Sequence, residues 1–104
     1  MRGDVHRLRA PRGPRSHEQQ GARYCVVVQS DDLLLSTLLV APTSRSAAPR
    51  NFRPTVTVQG EPTQVLVEQL TAVAPERLGE QVGRVTWQEM SEVDAALRLA
   101  LQLD

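Results

Sequence analysis

Tyr24-Cys25-Val26-Val27-Val28 is an unbroken apolar run, and a polar stretch containing one glycine, His17-Glu18-Gln19-Gln20-Gly21-Ala22-Arg23, leads straight into it. Branching at Cβ suits valine to pleated backbone, so the run reads as a buried strand over residues 24–30, closed by Asp31-Asp32. Arg23 stands at the junction. Rigid backbone fixes its Cα while the guanidinium reaches out of the sheet, and rigid elements position chemistry better than loops do.

The rest of the chain shows the same short apolar runs cut by turn residues. Residues 3–8 read as a first strand, with Val5 and Leu8 toward the core. Residues 9–20 hold two Pro, one Gly and three Arg but no aliphatic larger than Ala, which predicts a basic loop. Leu38 to Ala41 reads as a central strand ending at Pro42, after which Thr43-Ser44-Arg45-Ser46 emerges from the core. Residues 47–53 form another loop, with Arg50 and Arg53 flanking Phe52. Residues 55–59 alternate, Gly60-Glu61-Pro62 reads as a turn, and residues 64–68 return as the second strand of a hairpin. Pro75 to Leu78 followed by Gly79 predicts one helical turn, and residues 82–85 a last short strand.

The clearest local signal is the final helix. Thr86 and Glu89 make a T-x-x-E capping box, and Val85 before the cap is placed to staple onto Met90. Met90, Val93, Leu97 and Leu101 fall on one helical face with Ala96 and Ala100 beside it, a stripe suited to a core or a dimer interface. Five or six short strands and a closing helix predict a mainly β fold, a small barrel or strongly curved sheet. At 104 residues the expectation is a single domain over residues 1–104, with no room for a large cofactor and its own binding domain.

Charge is balanced overall at 12 basic and 12 acidic residues, but it is not evenly spread. Up to residue 53 the chain carries nine Arg against four acids, and beyond it three Arg against eight acids. A basic half suggests a phosphate-bearing partner, and the acidic half keeps the whole from being a nonspecific polycation. Every basic residue is arginine, whose planar fork meets phosphate oxygens in pairs; a genome rich in arginine codons gives the same bias. The lone Cys25 sits inside an apolar run and reads as a small core residue. No His, Cys and acidic groups stand at metal-ligand spacing, so no metal or cofactor is expected. With no signal peptide and no apolar stretch near 18 residues, the expected location is the cytoplasm, with no membrane contact.

Arg2-Gly3-Asp4-Val5, the Glu18-Gln19 pair, Arg23 followed by Val26-Val27-Val28, Val40-Ala41-Pro42-Thr43-Ser44, Val67-Glu68-Gln69-Leu70, Arg77-Leu78, Val82-Gly83 and Ala95-Ala96-Leu97 occur in an order that resembles the MazF/PemK-type toxins. The likeness covers nearly the whole chain, and its specificity lies in order and spacing rather than in any one motif. It implies a small SH3-like barrel, a homodimer, cleavage of single-stranded RNA at short sequences, and neutralisation by a cognate antitoxin whose acidic, partly disordered segment covers the basic loops. The family's catalytic arginine falls on Arg23 and its catalytic threonine on Thr43. Its Glu-Gln pair falls on Glu18 and Gln19, and a strand-end glutamine on Gln69. Gln19, Tyr24, Ser44, Arg45 and Gln69 are the expected RNA contacts. The chain departs from the family at Tyr24, where proline is usual, at Cys25 and His17, where alanine and serine are common, and at His6, where strand one often has tryptophan.

The chemistry can also be argued from the residues. Cutting RNA without a metal requires the 2′-hydroxyl to attack the adjacent phosphorus, leaving a 2′,3′-cyclic phosphate and a 5′-hydroxyl, and negative charge gathers on the phosphoryl oxygens. A fixed arginine and a hydroxyl donor stabilise that charge by preorganisation. A guanidinium, with a pKa above about 12, is a poor base at neutral pH. Glu18 or His17 is the better candidate for the general base.

Each residue also has a plain structural reading. Arg23 can pair with an acid such as Asp31, Thr43 and Ser44 can satisfy neighbouring backbone, and Tyr24 can simply pack. His17 can be an exposed loop residue, and Arg12, Arg15, Arg45, Arg50 and Arg53 a solvated rim. Two other functional classes compete with the endoribonuclease: a non-enzymatic CcdB-type gyrase poison, and an inactive relative that only binds RNA or antitoxin. The gyrase poisons act through the end of the last helix, where this chain has Leu101-Gln102-Leu103-Asp104 and no aromatic.

Overall fold

The computed structural model describes residues 1–9 and 23–104. Seven strands precede one helix: β1 (Asp4–Leu8), β2 (Tyr24–Val27), β3 (Leu38–Ser44), β4 (Thr55–Val58), β5 (Glu61–Val65), β6 (Thr71–Val73), β7 (Leu78–Arg84) and α1 (Trp87–Leu101). Two single 3-10 turns, Val67–Gln69 and Pro75–Arg77, lie on either side of β6. The strands form one antiparallel sheet in the order β4-β5-β3-β2-β1-β7, with β6 added to β3. Register shifts where β1 meets β7 bend that edge, and the result is the curved, half-barrel sheet with a closing helix that the sequence predicted.

β2 is buried on both faces, which is why its apolar run is unbroken rather than alternating. Tyr24, Val26 and Val28 join Val5, Ala41, Val56, Val58 and Val65 beneath Val93 and Ala96 of α1. Cys25 and Val27 face the other way, against Val40 and Val73. Burial pushes the Cys25 thiol up to about 11, although a backbone bond from His6 and the charge of Arg77 act against that. It is the core residue its context predicted.

The capping box of α1 has both of its bonds, Glu89 N to Thr86 Oγ1 at 3.0 Å and Thr86 N to Glu89 Oε1 at 2.8 Å. The other oxygen of the same carboxylate accepts from Thr57 N on β4 at 2.8 Å, so one side chain closes the helix end and fastens it to the sheet. Val85 and Met90 pack into the same core. The predicted apolar stripe is core only through Leu97. Ala100 and Leu101 are exposed.

Several boundaries differ from the sequence reading, and β2 ends at Val27 rather than running on to Ser30. β3 continues through Pro42 to Ser44. Residue 42 lies where β3 changes neighbours from β6 to β5, and its carbonyl accepts from Leu66 N, so the donor that proline lacks falls at a gap in the ladder. The hairpin turns at Gln59-Gly60, both with positive φ, so Glu61 and Pro62 already belong to β5. That strand stops at Val65, and residues 67–69 wind into a 3-10 turn instead of extending it. β6 was not foreseen, and β7 begins four residues early, at Leu78.

Candidate functional site

β2 and β3 run side by side, with Cys25 opposite Pro42, so the residues at their adjoining ends, Arg23-Tyr24 and Thr43-Ser44, come together. Both backbones there are pinned. The Arg23 carbonyl accepts from Leu8 N of β1 at 2.9 Å, and the Tyr24 carbonyl accepts from the Thr43 hydroxyl at 2.9 Å. Thr43 is only 6% exposed, whereas the Arg23 side chain stands in solvent.

An open cavity of about 300 Å³ lies over this junction. Arg23, Tyr24, Thr43, Ser44, Arg45 and Gln69 line it, joined by Thr63 and Leu66. Six candidates chosen from sequence, spread over more than forty positions, therefore share one concavity. Gln69 arrives as the last residue of the 3-10 turn that follows β5. The other three candidates, His17, Glu18 and Gln19, lie outside the described residues, as do Arg12 and Arg15 of the basic rim.

Thr63 and Leu66 were missed. Both are buried, and the Thr63 hydroxyl donates to the Glu61 carbonyl at 3.0 Å. Reading Gly60-Glu61-Pro62 as the turn put residue 63 outside the strand and hid its alternation with Val65. Pro62 is tolerated in β5 because β3 pairs only with Gln64 and Val65, so nothing on that side requires its N–H.

The surroundings distinguish the polar groups. Ser44 Oγ accepts from Ser46 N and Ala47 N at 3.2 and 3.0 Å, so this hydroxyl organises the turn after β3. The Tyr24 ring is 7% exposed, with the guanidinium carbons of Arg7 and Arg45 over it at 5.3 and 5.8 Å from its centroid, and its hydroxyl donates to Gln59 Oε1 at 3.2 Å. That ring is packed rather than open for stacking. Arg53, counted with the basic rim from sequence, is tied to Glu68 by Nε at 2.9 Å and Nη2 at 2.7 Å. Slight burial pushes the Glu68 carboxyl up, but the Arg53 guanidinium bonded to it and a local backbone bond outweigh this and hold it below its ordinary value.

Among the described residues no carboxylate or imidazole lines the cavity, and no three His, Cys, Asp or Glu gather as metal ligands. The arrangement supplies positive charge, hydroxyls and an amide. It can hold a phosphate, polarise it and read polar edges beside it. No helix of the described residues is long and apolar enough to cross a membrane.

A family model described as PemK-like, MazF-like toxin of type II toxin-antitoxin system matches residues 1–101. A Mycobacterium tuberculosis H37Rv protein named as a candidate toxin, Rv3098A, is 36% identical over 104 residues, which span 99% of this chain and 98% of that protein. Among solved structures, the fold is similar to a mycobacterial endoribonuclease in complex with its cognate antitoxin, with TM-score 0.80, 19% identity, and 100% and 96% of the two chains covered. It is also similar to the Mycobacterium tuberculosis toxin MazF-mt6, with TM-score 0.78, 17% identity, and 97% and 98% covered. A MazE-MazF structure from Deinococcus radiodurans gives TM-score 0.75 at 18% identity, with 99% and 95% covered. At these identities the structural likeness speaks for the fold alone.

Proposed function

The chain belongs to the PemK-like, MazF-like toxins of type II toxin-antitoxin systems, and on that premise we propose that it is a sequence-specific endoribonuclease cutting single-stranded RNA, without a metal, in the cavity shared by Arg23 and Thr43. The observation that carries this reading is the meeting of Arg23, Thr43, Arg45 and Gln69 in one open concavity. The RNA lies across it with the scissile phosphate at Arg23. The 2′-hydroxyl attacks phosphorus, the bond to the 5′-oxygen breaks, and the products are a 2′,3′-cyclic phosphate and a 5′-hydroxyl.

Arg23 stabilises the charge that builds on the phosphoryl oxygens. It is suited to this because its backbone is fixed by β1 while its side chain stays accessible. Thr43 has one hydroxyl hydrogen, held by the Tyr24 carbonyl when the site is empty. In the reaction that hydrogen turns to a phosphoryl oxygen, so the same group braces the backbone beside Arg23 and then assists the chemistry. The described lining residues offer no ordinary base, and the proton of the 2′-hydroxyl goes to Glu18 or His17 in this reading. Gln69 and Gln19 supply amide donors and acceptors for base edges.

A homodimer widens a groove that one subunit of this size leaves shallow, and an antitoxin with an acidic segment covers the arginines around it. The test is brief expression in cells with mapping of RNA ends. Growth arrest and new 5′-hydroxyl ends at a recurring short sequence are expected of the wild type and not of Arg23→Ala at equal abundance. Undiminished arrest by that variant would contradict the assignment.

A further inference from the structure

Two guanidinium groups converge on one aromatic ring beside the cavity. Arg45 lines the cavity and also lies over Tyr24, with its guanidinium carbon 5.8 Å from the ring centroid. Arg7 lies over the same ring at 5.3 Å, and on β1 it is the residue paired directly with Tyr24. Arg23 precedes Tyr24 in the chain and lines the same cavity as Arg45. The carboxylate that the described residues bring to this pair is Glu80, 3.5 Å from Arg7 Nε in an exposed contact that is cheap to displace.

Tyr24 is held on two sides. Thr43 pins its carbonyl, and its hydroxyl donates to Gln59 Oε1. Gln59 has φ of 50°, a left-handed conformation disfavoured for a residue with a side chain, in a turn where Gly60 beside it is at home. The turn carries that strain and in doing so sets an amide oxygen on the tyrosine hydroxyl. The ring face attracts cations, and this offsets part of the repulsion between the two guanidiniums without neutralising either. A pair of guanidiniums held over one ring beside the cavity, with Arg7 only loosely paired to the exposed Glu80, is suited to a second phosphate.

We propose that Arg7 and Arg45, positioned by the Tyr24 ring, form a second anion subsite that takes a phosphodiester flanking the one at Arg23. This rests on the endoribonuclease reading and extends it. Tyr24 is thereby a positioning residue rather than a base-stacking one, and the subsite leads from the cavity toward β1.

The test measures binding of a single-stranded 2′-deoxy oligonucleotide, which lacks the attacking hydroxyl, over a range of salt concentrations. For single strands each phosphate contact contributes about 0.7 to the slope of log K against log salt. The Arg7→Gln/Arg45→Gln double variant, altered at exposed side chains, should lose about 0.7 from that slope, the share of one phosphate. Tyr24→Leu should lose a similar amount, and Tyr24→Phe, which keeps the ring, should not. In cleavage of RNA the double variant's loss of kcat/KM should be carried mainly by KM. If Tyr24→Leu fails to fold, the double variant still decides. A wild-type slope in the double variant overturns the subsite and leaves the endoribonuclease reading standing, and so does a loss confined to binding of an acidic peptide. A wild-type protein that binds no oligonucleotide overturns both.

Discussion

The hydroxyl of Thr43 donates to the main-chain carbonyl of Tyr24 at 2.9 Å, joining β3 to β2 one residue beyond Arg23. The bond is buried, and replacing Thr43 by Val removes it at nearly constant shape while the ladder bond from Thr43 N to the same carbonyl stays. That costs about 0.5–1.5 kcal/mol of stability. If the same hydroxyl also serves the phosphate, RNA cleavage falls by roughly 10² to 10³ beyond any effect of partial unfolding. Thr43→Ser keeps the group and should retain most of both. Urea denaturation and cleavage rates on the three proteins separate the two roles, because a Val variant that is less stable but fully active would make Thr43 a brace only.

The helix start offers a prediction independent of function. Thr86→Ala should cost about 1 kcal/mol, as cap removals do. Glu89→Ala should cost more, about 1–3 kcal/mol, because its carboxylate holds both Thr86 N and Thr57 N and also stands in the first turn, where negative charge is favoured. Chemical denaturation gives the order directly. Equal losses would mean that the link to β4 contributes nothing.

Much of this was legible in the sequence, for reasons that differ by residue. The capping box is local chemistry, so Thr86 and Glu89 could be paired without knowing the fold. The Arg23-to-Val28 junction was legible because polarity changes abruptly where a doubly buried strand begins. β6 was not, since Thr71–Val73 is three residues long and owes its strand to pairing with Leu38–Val40 over thirty positions away. Thr63 was lost because Pro62 resembles a turn residue, and only the extent of β3 shows that its missing N–H does no harm. The brace between Thr43 and Tyr24, and the two arginines over the ring, depend on register across β1, β2 and β3, which no local pattern encodes.

Cys25 gives a pH prediction that is read against Cys25→Ala, which keeps every other titrating group. Burial raises the folded thiol from 9.0 to about 11, so the unfolded chain loses this proton first as pH rises. The stability linked to the thiol is fully present below about pH 9 and is lost as pH climbs toward 11. Denaturation midpoints across that range should fall more steeply for the wild type than for Cys25→Ala. A thiol reagent at pH 8 should modify the protein only on unfolding, and rapid labelling of the native state would contradict the burial.

The most direct test of the central claim is incubation of the purified protein with a long single-stranded RNA in EDTA, beside Arg23→Ala, with both fragment ends mapped. Arg23 is exposed, so its removal should leave stability within about 0.5 kcal/mol of the wild type while lowering cleavage by roughly 10² to 10³. Cuts at a recurring short sequence, cyclic-phosphate and 5′-hydroxyl ends, and loss of both in the folded variant are the predicted result. Cleavage that persists at wild-type rate in Arg23→Ala, or no cleavage of any RNA by the wild type, would contradict it.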